Sequence, residues 1–227
     1  MGDVTAAEWQ ALRVSLSVAA ASLALTLPVA LWAGWVLARK RFWGRTALGI
    51  AVHLPLVMPP VALGYLMLLA LGPRSPLGAF LESSAGITLA FSWGGAVLAS
   101  ALSGLPLAVR AIRLSAEAVD ERLLQAARTL GRAPAMVFAT VALPLMLPGI
   151  VAGGVLAFAR GLGEFGATIT FAASIPGKTR TLPLALHAFL QTPGGEAAAL
   201  RLLVLSIGVA VAALVLSEIL VRRAQHR

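Results

Sequence analysis

The 227-residue sequence contains no cysteine, a single tyrosine and few charged residues. Without cysteine the chain has no disulfide framework, no thiolate metal ligand and no thiol nucleophile. Charged residues make up 12% of the chain, which is about half of their share in soluble domains. Hydrophobic residues make up 59% instead. This composition excludes an ordinary soluble domain and predicts an integral membrane protein.

Two glycine-rich segments have the form of nucleotide-binding motifs but lack the required context. GLGEFG at 161–166 lies in an apolar run, and the next acidic residue, Glu196, is too distant for a dinucleotide-binding fold. PGKT at 176–179 resembles the end of a phosphate-binding loop, but Ala172 stands at the position of its first glycine. No histidine pair has metal-ligand spacing, and no Ser-His-Asp set is present. The sequence therefore predicts a protein that is not an enzyme, with no catalytic residue, no cofactor site and no metal site.

The 18 basic residues lie mainly between apolar runs, in residues 39–45, 110–132 and 222–227. This clustering is typical of the cytoplasmic loops of membrane proteins, and it predicts an N-terminus outside and a C-terminus inside. A continuous basic face for nucleic acid is not indicated. Because a helix needs about 20 apolar residues to cross the bilayer, we predict five spans in one transmembrane domain (1–227). They are roughly 14–38, 46–71, 86–109, 145–172 and 197–221.

Prolines interrupt several of these predicted spans. Pro59 and Pro60 lie in the second span, Pro106 lies late in the third, and Pro144 precedes the fourth. Each proline leaves a backbone carbonyl without its usual donor, and lipid cannot supply one. The broken segments therefore line a water-filled pathway, as in transporters, or they are kinks that aid helix packing. Both interpretations are open from the sequence.

The segment 120–131 is a short, basic interruption between the third and fourth spans. Its apolar residues recur at helical spacing and predict one apolar stripe, formed by Leu123, Leu124, Ala127 and Leu130. Gly131 fits a left-handed residue after the helix, and Pro134 fits the first turn of a second helix. The segment is either an amphipathic helix resting on lipid or a surface on which a partner docks.

The pattern Gln125-Ala126-Ala127, then Gly131, then Val141-x-Leu143-Pro144 resembles the EAA loop of ABC importer permeases. In that family the loop forms a coupling helix that docks into a groove of the cytoplasmic ATPase subunit. Gln125 stands where the motif usually has glutamate, so a salt bridge from this position is lost. The resemblance implies that ATPase coupling involves Leu123, Leu124, Gln125, Ala126, Ala127, Leu130 and Gly131.

Three longer segments, at 54–68, 143–171 and 174–196, resemble molybdate permease subunits of this family. The resemblance implies an all-α integral membrane protein of the bacterial cytoplasmic membrane, with a five-helix type I ABC importer (MetI-like) core. It also implies a permease homodimer, two cytoplasmic ATPase subunits that bind the ATP, and an extracytoplasmic oxyanion-binding protein. The alternatives are a tungstate or sulfate/thiosulfate permease of the same kind, or a secondary transporter or channel that uses no ATPase.

The fourth predicted span contains small residues and an unusual pair of charges. The spacing Gly149-x-x-x-Gly153 predicts close contact with another helix. Arg160 and Glu164 are ionisable residues inside the span, four positions apart, so they are predicted to pair. The pair either lines the pathway or neutralises itself and orders the dimer interface. The candidate residues for the pathway or interface are Pro59, Pro60, Arg160, Glu164, Phe165 and Gly166.

Overall fold

Residues 5–225 are described by the computed structural model, and in this range the chain forms helices and no β-strand. The predicted all-α class is therefore confirmed. A π-helical turn, Phe138–Ala142, joins the seventh and eighth helices. The helices are α1 (Ala6–Arg39), α2 (Arg45–Val57), α3 (Pro60–Leu71), α4 (Pro76–Ala85), α5 (Trp93–Ala118), α6 (Glu121–Thr129), α7 (Pro134–Val137), α8 (Leu143–Leu162), α9 (Gly166–Phe171), α10 (Leu182–Leu190) and α11 (Glu196–Gln225).

Four helical stretches in the described range are long and apolar enough to cross a membrane. They are Ala6–Arg39, Trp93–Ala118, Pro134–Leu162 and Glu196–Ala213. The pair α2 and α3 qualifies as a fifth only if both halves are counted together. The five crossings remain predictions. α1 begins at Ala6, before the predicted start of the first span, and the helix bounds also differ from the second, third and fourth predicted spans.

The predicted span 46–71 is not one straight helix, because α2 and α3 are bent by 119° relative to each other. Met58 and Pro59, which separate them, have extended backbones with ψ of 143° and 132°. Each of these residues precedes a proline, and a following proline ring disfavours the helical conformation sterically. Pro60 then occupies the first turn of α3, where a missing N–H breaks no helical hydrogen bond.

The predicted third span, 86–109, begins too early. α5 starts at Trp93, because the hydroxyl of Ser92 caps the helix by accepting a hydrogen bond from the N–H of Gly95 at 3.1 Å. From there α5 continues to Ala118. Apolar composition made residues 86–92 part of the span, whereas the serine cap determines where the helix starts.

The predicted fourth span, 145–172, is also displaced. The helical path runs from Pro134 to Leu162, and α9 is a separate short helix. The break follows Gly163, after which the carboxylate of Glu164 accepts a hydrogen bond from the N–H of Ala167 at 2.8 Å. A break of this kind inside an apolar run cannot be recognised from hydropathy alone.

α5 is the central helix, and α1 and α8 pack along it. A Cβ atom added at Gly149 would lie 2.2 Å from the Cβ of Ser115, and one at Gly153 would lie 3.0 Å from the carbonyl oxygen of Ala108. These distances leave no room for a side chain, so the backbones of α8 and α5 are in direct contact. The close packing predicted from the glycine spacing is confirmed, and α5 is the partner helix.

Candidate functional site

The segment 120–131 forms the helix and glycine corner expected from the sequence. Asp120 caps α6 by accepting a hydrogen bond from the N–H of Arg122 at 2.9 Å. After α6, Gly131 has φ of +80°, in the left-handed region that glycine adopts readily. Pro134 begins α7. The helix, the left-handed corner and the proline start of the next helix are therefore confirmed.

The four residues of the predicted apolar stripe, Leu123, Leu124, Ala127 and Leu130, differ in burial. Leu124 and Ala127 are 4% and 9% exposed and pack in the main hydrophobic core. Leu123 and Leu130 are 50% and 81% exposed. Successive helical residues differ by about 100° in direction, so the four residues lie within about 120° of one another, with Leu124 at one edge of the stripe and Leu130 at the other. Burial of Leu124 and Ala127 fixes α6 to the bundle and leaves the other face open.

Four of the predicted coupling residues lie on the open side of α6, and we call them the exposed α6 face: Leu123, Gln125, Ala126 and Leu130. All four are exposed. Within the described range, the side chain of Gln125 makes no hydrogen bond. The structure thus separates the predicted coupling residues into an inner pair and an outer face.

Two arginines connect the ends of the long helices next to α6. Arg39 donates hydrogen bonds to the carbonyl oxygen of Ala116, at 2.6 Å from Nη2 and 3.0 Å from Nε, and also to that of Val119. Arg45 donates to the carbonyl oxygen of Leu37 at 2.8 Å. Arginine satisfies carbonyls at helix C-termini that have no intrahelical donor. From the sequence, these arginines were assigned to membrane orientation only. Their position next to the ends of predicted spans is the sequence feature that could have indicated the contacts with helix ends.

The π-helical turn Phe138–Ala142 contains Val141 of the EAA-like pattern, and Leu143 and Pro144 follow directly after it. Pro144 has no N–H, and the N–H of Leu143 donates to the carbonyl oxygen of Phe138, five residues earlier. The ring of Phe138 packs edge-on against that of Trp35 in α1, with centroids 4.9 Å apart. The chain therefore remains helical from Pro134 into α8, including at Pro144.

The predicted pairing of Arg160 with Glu164 is confirmed. Nη1 of Arg160 lies 2.9 Å from Oε2 of Glu164, and the side chains are 31% and 0% exposed. The contact is close but not aligned as a hydrogen bond, so its contribution is chiefly electrostatic. The other carboxylate oxygen, Oε1, accepts the N–H of Ala167. Glu164 therefore has two roles in the fold, as an ion-pair partner and as a hydrogen-bond acceptor for the first turn of α9.

The other candidate residues of this region lie at the junction of α3 and α9. A Cβ atom on Gly166 would lie 2.5 Å from the Cβ of Pro60, so these two residues are in direct contact. Phe165 packs edge-on against His187 of α10, with ring centroids 5.0 Å apart. Pro59 is exposed beside this junction. The structure thus brings Pro60, Glu164 and Gly166 together around the breaks in two predicted spans.

The opposite end of the bundle contains polar contacts that sequence analysis missed. Glu8 of α1 is fully buried, and its Oε1 lies 2.9 Å from Nη2 of Arg201 in α11. Ser15 accepts a hydrogen bond from the N–H of Leu182 at 2.6 Å, which holds the start of α10 against α1. These partners are far apart in the sequence, so no local pattern indicates them. Within residues 5–225 no group of three metal-ligating side chains comes together.

Solved structures with this arrangement of helices define the class of fold. A bacterial ABC transporter that imports the acidic polysaccharide alginate matches with a TM-score of 0.77 at 15% identity, over 96% of this chain and 80% of that chain. The MetNI methionine ABC transporter matches with a TM-score of 0.68 at 15% identity, over 97% of this chain and 95% of that chain. The fold is that of a MetI-like ABC importer permease, as predicted.

Sequence comparison identifies the family. The profile of the binding-protein-dependent transport system inner membrane component family matches residues 26–226, and the chain belongs to this family. The chain is 52% identical over 224 residues to the molybdenum transport system permease protein ModB of Escherichia coli (strain K12), covering 99% of this chain and 98% of that protein. It is 50% identical over 220 residues to ModB of Haemophilus influenzae, covering 97% and 96% respectively. ModB of Mycobacterium tuberculosis is 45% identical over 205 residues, covering 90% of this chain and 76% of that protein.

Proposed function

We propose that this chain is the permease subunit of an ATP-driven molybdate importer in the bacterial cytoplasmic membrane. It acts as a homodimer with two cytoplasmic ATPase subunits and an extracytoplasmic binding protein. The main support is its 52% identity, from end to end, to a molybdenum transport permease. The ATP is bound by the partner subunits, and the chain itself performs no chemistry.

The exposed α6 face is the proposed docking surface for the ATPase. Leu123 and Leu130 supply apolar contact, and Gln125 supplies hydrogen bonding without the charge that glutamate would bring. Leu124 and Ala127 hold α6 in the core, so a displacement of α6 is transmitted to the long helices. The continuous path through the π-helical turn into α8 supports this coupling.

The membrane orientation follows from the same assignment. Because α6 must face the ATPase, the end of the bundle with the basic loops is cytoplasmic, with the N-terminus outside and the C-terminus inside. The positive-inside rule independently favours this orientation. The buried Glu8–Arg201 pair then lies at the outer end, where the binding protein docks.

Arg160 supports a dimer. Its side chain is 31% exposed on the single chain although it belongs to an apolar helix. Lipid does not solvate such a charge well, so a second protomer or the water-filled pathway covers it. We propose that the pair formed with Glu164 is structural and orders the dimer interface, while Pro59, Pro60, Phe165 and Gly166 surround the adjacent pathway.

The test is transport by the reconstituted complex. Proteoliposomes with permease and ATPase subunits, supplied with the binding protein outside, should accumulate radiolabelled molybdate only with internal ATP. Competition with tungstate, sulfate and thiosulfate measures which oxyanion is preferred, and a clear preference for sulfate would assign the chain to the sulfate permeases instead. Gradient-driven transport by the permease alone would contradict the ATP-dependent mechanism and support a secondary transporter or channel.

A further inference from the structure

A cavity of about 260 Å³ lies between α2 and α5. It lies in the C-terminal half of α5, near the helix end that Arg39 holds. Its lining residues are His53, Arg110, Arg113, Leu114 and Glu117. We call this cavity the α2–α5 pocket.

The α2–α5 pocket carries excess positive charge. Nε of Arg113 donates to Oε1 of Glu117 at 2.8 Å, so this arginine is largely neutralised. Arg110 is exposed and forms no ion pair with any side chain described by the structure. Nδ1 of His53 lies 2.8 Å from the carbonyl oxygen of Gly49, to which it donates. One uncompensated guanidinium therefore faces a space that a small anion can enter.

We propose that the α2–α5 pocket binds a tetrahedral oxyanion group near the cytoplasmic end of the permease. Guanidinium groups match such anions because their planar N–H donors bind two oxygens at once. One water molecule occupies about 30 Å³ in the liquid, so the cavity holds a five-atom oxyanion with part of its hydration shell.

The inner location of the pocket rests on the proposed function, because the orientation of the chain was assigned from ATPase coupling. A tetrahedral oxyanion group near the cytoplasmic end can come from two sources. One is the transported oxyanion on its way into the cytoplasm, for which the pocket would be a release site. The other is the phosphate of an anionic lipid, which would hold the ends of α2 and α5 at the membrane surface.

Equilibrium binding tests the proposal directly. The nucleotide-free complex of permease and ATPase is placed in nanodiscs of neutral phosphatidylcholine, and binding of radiolabelled molybdate is measured. We expect saturable binding that weakens about tenfold or more in Arg110→Gln, because a charged donor is lost, and that is partly retained in Arg110→Lys. Arg41→Gln, which removes one charge from an exposed loop at the same end, should bind like the unmodified chain.

A second arm identifies the source of the anion. In nanodiscs containing phosphatidylglycerol, native mass spectrometry measures lipid retained by the complex. If lipid retention depends on Arg110 and the lipid suppresses molybdate binding, the pocket is assigned to lipid phosphate. If molybdate binding is unchanged in the presence of the lipid, the pocket is assigned to the transported anion. If neither ligand depends on Arg110, the proposal is overturned. ATP-dependent uptake by the same preparation would show that the transport function nevertheless holds.

Discussion

The ion pair between Arg160 and Glu164 permits an experiment that separates a structural role from a role in the pathway. In soluble proteins, removal of one member of a buried pair costs about 3–5 kcal/mol, because the remaining charge is uncompensated. Glu164 is completely buried, whereas the arginine side chain is 31% exposed. Because the arginine is not completely enclosed by its own chain, we expect Arg160→Met to cost about 3 kcal/mol, near the lower end of the range.

Glu164 makes a second contact that changes the expected result of a double substitution. Its Oε1 accepts a hydrogen bond from the N–H of Ala167 in the first turn of α9 at 2.8 Å, and the loss of one such hydrogen bond costs about 1 kcal/mol. Arg160→Met with Glu164→Met should therefore restore most of the stability but not all of it. Arg160→Met with Glu164→Gln keeps an oxygen acceptor for the N–H of Ala167, and we expect this combination to restore folding fully.

The measurements are the yield of folded dimer in detergent and ATP-dependent molybdate uptake, with ATPase association as the control for assembly. A structural pair predicts low dimer yield for each single substitution and recovery of both dimer and uptake in the combination with glutamine. A combination that folds, binds the ATPase and does not transport would refute the structural role and place the pair in the pathway. Double variants as unstable as Arg160→Met would show that the two charges do not stabilise each other.

Three further predictions concern coupling, orientation and packing. Gly131→Val should insert normally but copurify with less ATPase and lose uptake, because φ of +80° strongly disfavours a β-branched residue; Gly131→Asn, which tolerates this conformation, should retain both. Single cysteines at the exposed positions Arg74 and Lys178 should react with an impermeant thiol reagent outside intact cells, whereas one at Ala133 should not. Outside labelling at position 133 would contradict the orientation. Gly149→Leu should lower the melting temperature of the purified permease, since its Cβ would lie 2.2 Å from a side chain of α5; an unchanged melting temperature would contradict the direct contact of these helices.

Local features of this protein followed from its sequence. Composition was sufficient for the membrane class, because lipid excludes a high density of charged groups. The left-handed corner at Gly131 and the pairing of Arg160 with Glu164 depend on residues at most four positions apart. The geometry of one helical turn determines both features. The contact of the small residues in α8 with another helix was also predictable, although the identity of that helix was not.

Contacts between distant parts of the chain were decided only by the tertiary structure. The division of α6 into a buried and an exposed face depends on how α6 rests on the bundle, so hydropathy grouped Leu124 with Leu130 although one is 4% and the other 81% exposed. Arg39 donates hydrogen bonds to α5, and Pro60 contacts Gly166. Both interactions join residues separated by 77 or more positions. The α2–α5 pocket likewise requires His53 and Arg110 to lie on adjacent helices. A sequence pattern reports which residues share a helical face, but packing between helices determines what that face meets.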